Sequence, residues 1–124
     1  MAQRPTTILL VRHGTTSTTG TILPGRAPGL SLAPRGIEQA EAVARYIAAM
    51  RTRPVAVYAS PLERTRETAA PISRALRLRT RIDRGLLECD FGDWTGKKLA
   101  VLSTKKEWRS VQHAPSTFRF PGGE

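Results

Sequence analysis

Ile8, Leu9, Leu10 and Val11 form an uninterrupted apolar run that ends directly on Arg12-His13-Gly14. A strand with one wet face alternates apolar and polar residues, whereas a strand covered on both faces is apolar throughout. Thr6 to Arg12 is therefore predicted to be a buried strand of the kind found in parallel sheets. Such a strand needs helices above and below it, so the rest of the chain should supply them.

The chain does alternate in that way. Pro34-Arg35-Gly36 leads into a helix whose stripe is Ile37, Ala40, Val43, Ala44, Ile47 and Ala48, with Glu38, Glu41 and Arg45 outside it. Pro54 closes that unit, and Val55 to Ala59 reads as a second strand. Ser60-Pro61 breaks the strand, and Pro61 suits the first turn of a following helix. Leu62 to Leu76 carries a helical pattern through Leu62, Thr65, Ala69, Ile72 and Leu76, with a kink or interruption predicted at Pro71. Leu78 to Ile82 is a candidate third strand, Gly85 to Gly96 a loop and Lys97 to Val111 a further helix. Strand, helix, strand, helix, strand predicts an α/β fold with a mostly parallel sheet and right-handed crossovers. Ligands of such sheets bind at the carboxyl ends of the strands. His13 and Arg64 both follow strand ends, so the order of elements draws them to the same edge.

Composition bounds the alternatives. Residues 1–124 allow one domain, and 40% hydrophobic with 24% charged residues is globular composition. No apolar run approaches membrane-spanning length, and the start lacks the apolar core of a signal peptide. The single cysteine, Cys89, excludes an internal disulfide and offers no metal cluster. A cytoplasmic location without membrane association is the expectation. Basic residues outnumber acidic ones 20 to 10, and only Lys97, Lys98, Lys105 and Lys106 are lysines. An arginine-rich surface fits nucleic acid, small phosphorylated anions, or plain solvation. Aromatics are 6%, and none interrupts the densest run, Arg74 to Arg84, which disfavours nucleic acid.

Three segments carry groups able to do chemistry. At Arg12-His13-Gly14-Thr15, a neutral imidazole can act as nucleophile or base near pH 7, Arg12 adds a fixed positive charge, and Gly14 permits close approach to the backbone. Thr15 and Thr16 add donors for anionic oxygens. Taken alone, this His could equally be structural. Ser60-Pro61-Leu62-Glu63-Arg64 opens a helix, whose N-terminus favours anions, and Arg64 on its first turn can point into the cleft. An i, i+3 surface pair with Glu67 is the alternative for Arg64. In Leu87-Glu88-Cys89-Asp90-Phe91-Gly92-Asp93-Trp94, a carboxylate could serve as proton donor or acceptor, with Glu88, Asp90 and Asp93 all candidates on spacing.

These segments resemble, in order, the motifs of the histidine phosphatase superfamily: Arg12-His13-Gly14-Thr15, then Pro34-Arg35-Gly36-Ile37-Glu38-Gln39-Ala40, then Ser60 to Ala69, then Glu88 to Trp94-Thr95-Gly96. The resemblance covers nearly the whole chain, with bacterial phosphoglycerate mutase-like proteins of the phosphomutase and phosphatase branch as the nearest group. It implies a three-layer α/β/α, phosphoglycerate mutase-like fold. It also implies that His13 forms a phosphohistidine, that Arg12 and Arg64 bind the phosphoryl oxygens, and that Glu88 is the general acid and then the base for water. Thr16, Thr19, Gly25 and Arg26 fall where the substrate would lie, and no metal or cofactor is implied.

The family pattern also calls for a second histidine in a His-Gly setting after a late strand, and this chain offers none. His113, the only other histidine, stands in Val111-Gln112-His113-Ala114-Pro115 and is expected in an exposed loop. The chain is thus expected to be a partial domain lacking its C-terminal part, with an open sheet edge, exposed apolar surface and marginal stability. The expected function is phosphoryl transfer from small phosphate monoesters through His13, as a phosphatase rather than a mutase. The alternatives are a non-catalytic fragment or anion- or nucleotide-binding module and, less favoured, a basic nucleic-acid binder.

Overall fold

The computed structural model describes residues 3–124. Helix α1 spans Pro34–Ala48, strand β1 Val57–Ala59, helix α2 Glu63–Leu76 and strand β2 Thr80–Ile82. Two short helices follow, α3 at Leu99–Leu102 and α4 at Trp108–His113, among 3-10 turns at Arg84–Leu86, Gly92–Trp94 and Pro115–Thr117. β1 and β2 pair in parallel, Val57 opposite Thr80 and Ala59 opposite Ile82, joined by α2 in a βαβ unit. The α/β class with a parallel sheet thus holds, with two strands in the sheet. No helix among the described residues is long and apolar enough to cross a membrane.

The two long helices supply the core. α1 starts at a proline suited to its first turn and buries Gly36, Ala40, Ala44 and Ile47, spaced four, four and three apart. This stripe is narrower than the sequence pattern suggested, because Ile37 is exposed. Ala44 and Ile47 pack on Ile72 and Leu76 of α2, with Val43, Met50, Val57 and Leu78 around them. The interruption predicted at Pro71 is absent: α2 runs through it, with Pro71, Ile72 and Ser73 all buried. A proline inside a helix costs about 3 kcal/mol, and burial of the turns on both sides against α1 offsets that loss.

Two predicted elements differ. Residues 6–12 form no strand: no strand lies beside them among the described residues, and Ile8 and Leu10 are 75% and 94% exposed. A central strand needs neighbours on both edges to satisfy its backbone, and a two-stranded sheet of three residues each supplies none here. Ile8, Leu9, Leu10 and Val11 are four of the eleven exposed large hydrophobic residues among the described ones, with Tyr46 and Val55 among the rest. The helix expected over Lys97–Val111 is split into α3 and α4. At the break the hydroxyls of Ser103 and Thr104 donate to the carbonyls of Ala100 and Val101, at 3.0 and 2.7 Å. Such back-bonding competes with helix continuation. His113 is exposed, as expected, but ends α4 instead of lying in a loop.

A second, aromatic core joins the end of the chain to the loop before α3. Trp94 stacks on Trp108 with centroids 6.3 Å apart and meets the Phe118 and Phe120 rings at 5.4 and 5.3 Å. Phe91 and Phe120 add an edge-to-face contact at 5.0 Å. These rings hold Phe118 to Glu124 against residues 90–96.

α2 ends on Arg77, a non-glycine residue in the left-handed region with φ of 55°, and its N–H caps Ser73 and Arg74 carbonyls. Its side chain is exposed, so Arg77→Gly removes backbone strain without emptying the core. It is expected to stabilise the fold by about 0.5–1 kcal/mol, read as a higher midpoint in thermal denaturation.

Candidate active site

Each loop around Arg64 is tied to α2. The His13 loop comes first. The Gly14 N–H donates to Thr68 Oγ1 at 3.1 Å, and that hydroxyl donates to the Arg64 carbonyl at 2.7 Å. Gly14 lies so close to Gly36 that a Cβ would strike the Gly36 carbonyl, and a Cβ on Gly36 would strike the Thr15 carbonyl. The Thr15 N–H donates to Gln39 Oε1 at 2.9 Å, and Thr16 forms an antiparallel bridge with Leu32. Residues 14–16 are therefore wedged between the start of α1 and the first turns of α2.

His13 is half-buried, and its Nδ1 lies 2.8 Å from the Gly14 carbonyl oxygen. A carbonyl only accepts, so Nδ1 carries the proton, and in the neutral ring Nε2 keeps its lone pair. That is the tautomer a nucleophilic imidazole needs. Arg12 is exposed and shares with His13, Gln39 and Thr68 a cleft of about 60 Å³. A larger open groove, about 540 Å³ beside Glu63, Arg66, Glu67 and Thr80, contains none of the residues expected in the site.

Arg64 is 1% exposed. Its Nη2 donates to the Gly25 carbonyl at 2.9 Å, but its Nε and Nη1 are buried with no partner, as is Thr15 Oγ1. The surface pair with Glu67 does not form: Glu67 Oε2 accepts from the Leu32 N–H at 2.6 Å, and Glu63 Oε1 accepts from Gly29 N–H at 2.9 Å. Three side chains from the first turns of α2, Glu63, Arg64 and Glu67, thus hold the loop from Gly25 to Leu32, and two of them are acids spent on backbone N–H groups. The Gly29 N–H is the main cause holding the Glu63 carboxyl below the ordinary carboxylate range, with Arg66 and Arg64 helping. A buried guanidinium with unmet N–H groups is costly unless an anion completes it. The unmet donors of a planar guanidinium suit phosphoryl oxygens.

The remaining expected residues are placed less uniformly. Gly25 adopts φ of 52° and turns its carbonyl to Arg64. The Arg26 guanidinium is taken up by protein groups at the surface: its Nε donates to the Glu88 carbonyl and its Nη2 to Glu124 Oε1. Thr16 is buried and bonded to Thr19, whose Oγ1 accepts from the Thr16 N–H at 2.9 Å. Glu88 is exposed, and its Oε1 accepts from the adjacent Cys89 N–H at 2.9 Å. Thr68 links the Gly14 N–H to the Arg64 main-chain carbonyl, and Arg26 and Gly25 link Glu88 to the Arg64 guanidinium. Thr68 and Gln39 lie inside the resembling segments without a role drawn from them, and Glu124 lies outside those segments. Thr68 is the one that could have been found, lying one turn past Arg64 on the same helix face.

The family model described as "Histidine phosphatase superfamily (branch 1)" matches residues 8–124. Bifunctional protein Rv2228c of Mycobacterium tuberculosis is 42% identical over 123 residues, covering 97% of this chain and 33% of that protein. Phosphoserine phosphatase 1 of Hydrogenobacter thermophilus is 31% identical over 122 residues, 94% of this chain and 56% of the relative. Among solved structures, mycobacterial glucosyl-3-phosphoglycerate phosphatase Rv2419c superposes with a TM-score of 0.77 at 28% identity, over 90% of this chain and 52% of that one. The α-ribazole phosphatase of Shigella flexneri gives 0.69 at 30% identity, over 92% and 56%. The chain therefore spans between about a third and somewhat over half the length of these relatives.

Two outcomes follow from the geometry. Thr68→Val keeps the shape but strands the buried Gly14 N–H, and is expected to cost about 1–3 kcal/mol in urea denaturation. The Glu63 carboxyl has a lowered folded pKa, so its hold on Gly29 is present above the ordinary carboxylate value and lost as pH falls through the lower folded one. The Gly29 amide resonance should titrate in that acid window, and Glu63→Gln should abolish the titration.

Proposed function

This chain belongs to the histidine phosphatase superfamily, and from that premise we propose that it is built to transfer the phosphoryl group of small phosphate monoesters through His13 to water. The observation that carries the reading is the pair of unpartnered Arg64 donors, buried one helical turn from the Thr68 hydroxyl that anchors the His13 loop. The relatives and structural neighbours named as phosphatases support hydrolysis over mutase chemistry.

In this reading, Arg64 and Arg12 take the phosphoryl oxygens and balance the charge that spreads over them in the transition state. His13 Nε2 attacks phosphorus in line, the bond to the leaving oxygen breaks, and a phosphohistidine forms while Nδ1–H stays on the Gly14 carbonyl. Glu88 gives a proton to the leaving oxygen and then takes one from the attacking water. Thr16, Thr19 and the Gly25-Arg26 turn border the substrate. No metal or cofactor takes part.

A second reading is an anion-binding domain without turnover. The Glu88 carboxylate favours it, being satisfied by its own neighbour's N–H instead of reaching the His13 loop.

Orthophosphate separates the parts. It should raise the melting temperature, by about 2.7 kcal/mol of stability at hundredfold excess over Kd. Arg64→Met should abolish that rise while keeping or raising the melting temperature without phosphate, because an unpaired buried charge is removed. His13→Ala should yield no acid-labile phosphoenzyme on incubation with a labelled monoester. Acid-labile phosphate retained in that variant refutes the nucleophile. Phosphate binding by the unsubstituted chain without any phosphoenzyme selects the second reading.

A further inference from the structure

Glu124 is tied into the candidate site by four hydrogen bonds. Its Oε1 accepts from Arg26 Nη2 at 2.8 Å, and its Oε2 accepts from the Asp90 N–H at 3.3 Å. Its own N–H donates to the Asp90 carbonyl at 2.9 Å, and its carbonyl accepts from the Phe120 N–H at 2.7 Å. The turn before it is packed without tolerance: a Cβ on Gly123 would strike the Asp90 carbonyl, and one on Gly92 the Pro121 carbonyl. The carboxylate is thus aimed by backbone on two sides and by the aromatic core beneath Phe120.

What Glu124 grips is the centre of a relay. The Arg26 guanidinium donates to Glu124 through Nη2 and to the Glu88 carbonyl through Nε, and the preceding residue, Gly25, gives its carbonyl to Arg64. A path from the buried guanidinium to the expected general acid therefore runs Arg64, Gly25, Arg26, Glu88, and Glu124 fixes the Arg26 side chain within it. The pair is solvent-exposed on both partners. Exposed ion pairs add little stability, about 0–1 kcal/mol, so a role in geometry is the one that accounts for so constrained a carboxylate. A misplacement of about 1 Å can cost about a hundredfold in rate.

We propose that Glu124 is a positioning residue: it holds Arg26 against the Glu88 main chain and so sets the distance of Glu88 from the Arg64 fork. The proposal rests on the phosphatase reading above for its kinetic consequence, but not for the contact itself. It also assigns Arg26 to organising the site, with its fork taken up by protein groups.

The test uses Glu124→Gln, Arg26→Ala and the double variant of the chain. With p-nitrophenyl phosphate, Glu124→Gln is expected to lower kcat by about tenfold or more, with orthophosphate Kd changed less than about twofold and melting temperature within about 2 °C. Its effect should vanish in the Arg26→Ala background, since the two side chains act as one unit. Unchanged kcat, or an equal loss in both backgrounds, overturns the proposal. Side-chain NMR decides the contact separately. Glu124→Gln should speed exchange of the Arg26 Nε–H and shift the Cys89 amide next to Glu88; if neither moves, the proposal fails even in an active enzyme. If the unsubstituted chain hydrolyses nothing, the phosphatase reading falls, and the Arg26 and Cys89 signals still establish or exclude the positioning.

Discussion

A guanidinium buried to 1% exposure, with one donor met by a carbonyl and two nitrogens unmet, is the constraint around which this fold is arranged. Unmatched buried charge is among the costliest features a small domain can carry. Arg64 is kept in place because its helix is anchored from every side. Ile72 and Leu76 pack on α1, Thr68 holds the His13 loop, and Glu63 and Glu67 hold the loop between Gly29 and Leu32. The stability supplied by the helix pair lets the first turn of α2 remain unsatisfied until an anion arrives. In the proposed phosphoryl transfer, which asks a protein mainly for positioning and charge balance, this fork would supply both.

The glycines at 14 and 36 serve the same end. Backbone contacts as close as theirs exclude any side chain, so the His13 loop can sit directly on the start of α1. The wedge orients the His13 ring as well: Nδ1–H is spent on the Gly14 carbonyl, leaving Nε2 as the free lone pair.

Around this centre the molecule has two cores with different jobs. The aliphatic core between α1 and α2 carries the His13–Arg64 side of the site. The aromatic core of Phe91, Trp94, Trp108, Phe118 and Phe120 carries the Glu88 side. Arg26 and Gly25 bridge them. Backbone hydrogen bonds of Thr21 and Leu23 with Gly96, Lys97 and Leu99 and the packing of Gly25 on Phe91 and Thr95 close the seam between the two cores, and Arg26 adds its side-chain contacts to them.

Local pattern was enough to identify α1, α2, both paired strands and the ordered motifs that hold His13, Arg64 and Glu88, because helical stripes, β-branched runs and glycine positions are written in consecutive residues. It also marked the chain's lack of a second His-Gly motif. Other features depended on groups distant in sequence. Ile8 to Val11 has the composition of a buried strand, but pairing needs neighbours, and none flank it among the described residues. Pro71 is a helix breaker by propensity, yet packing on α1 carries the helix through it. Arg64 could have paired with Glu67, and only the fold shows Glu67 spent on Leu32 and the guanidinium buried. Glu124 lies 98 residues from Arg26, so their contact has no local signature. The sequence alone determined the family, because the motifs that mark it are written in consecutive residues in a fixed order. Tertiary structure alone decided which of their hydrogen bonds are met and which are left for a ligand, because that depends on what the rest of the chain places beside them.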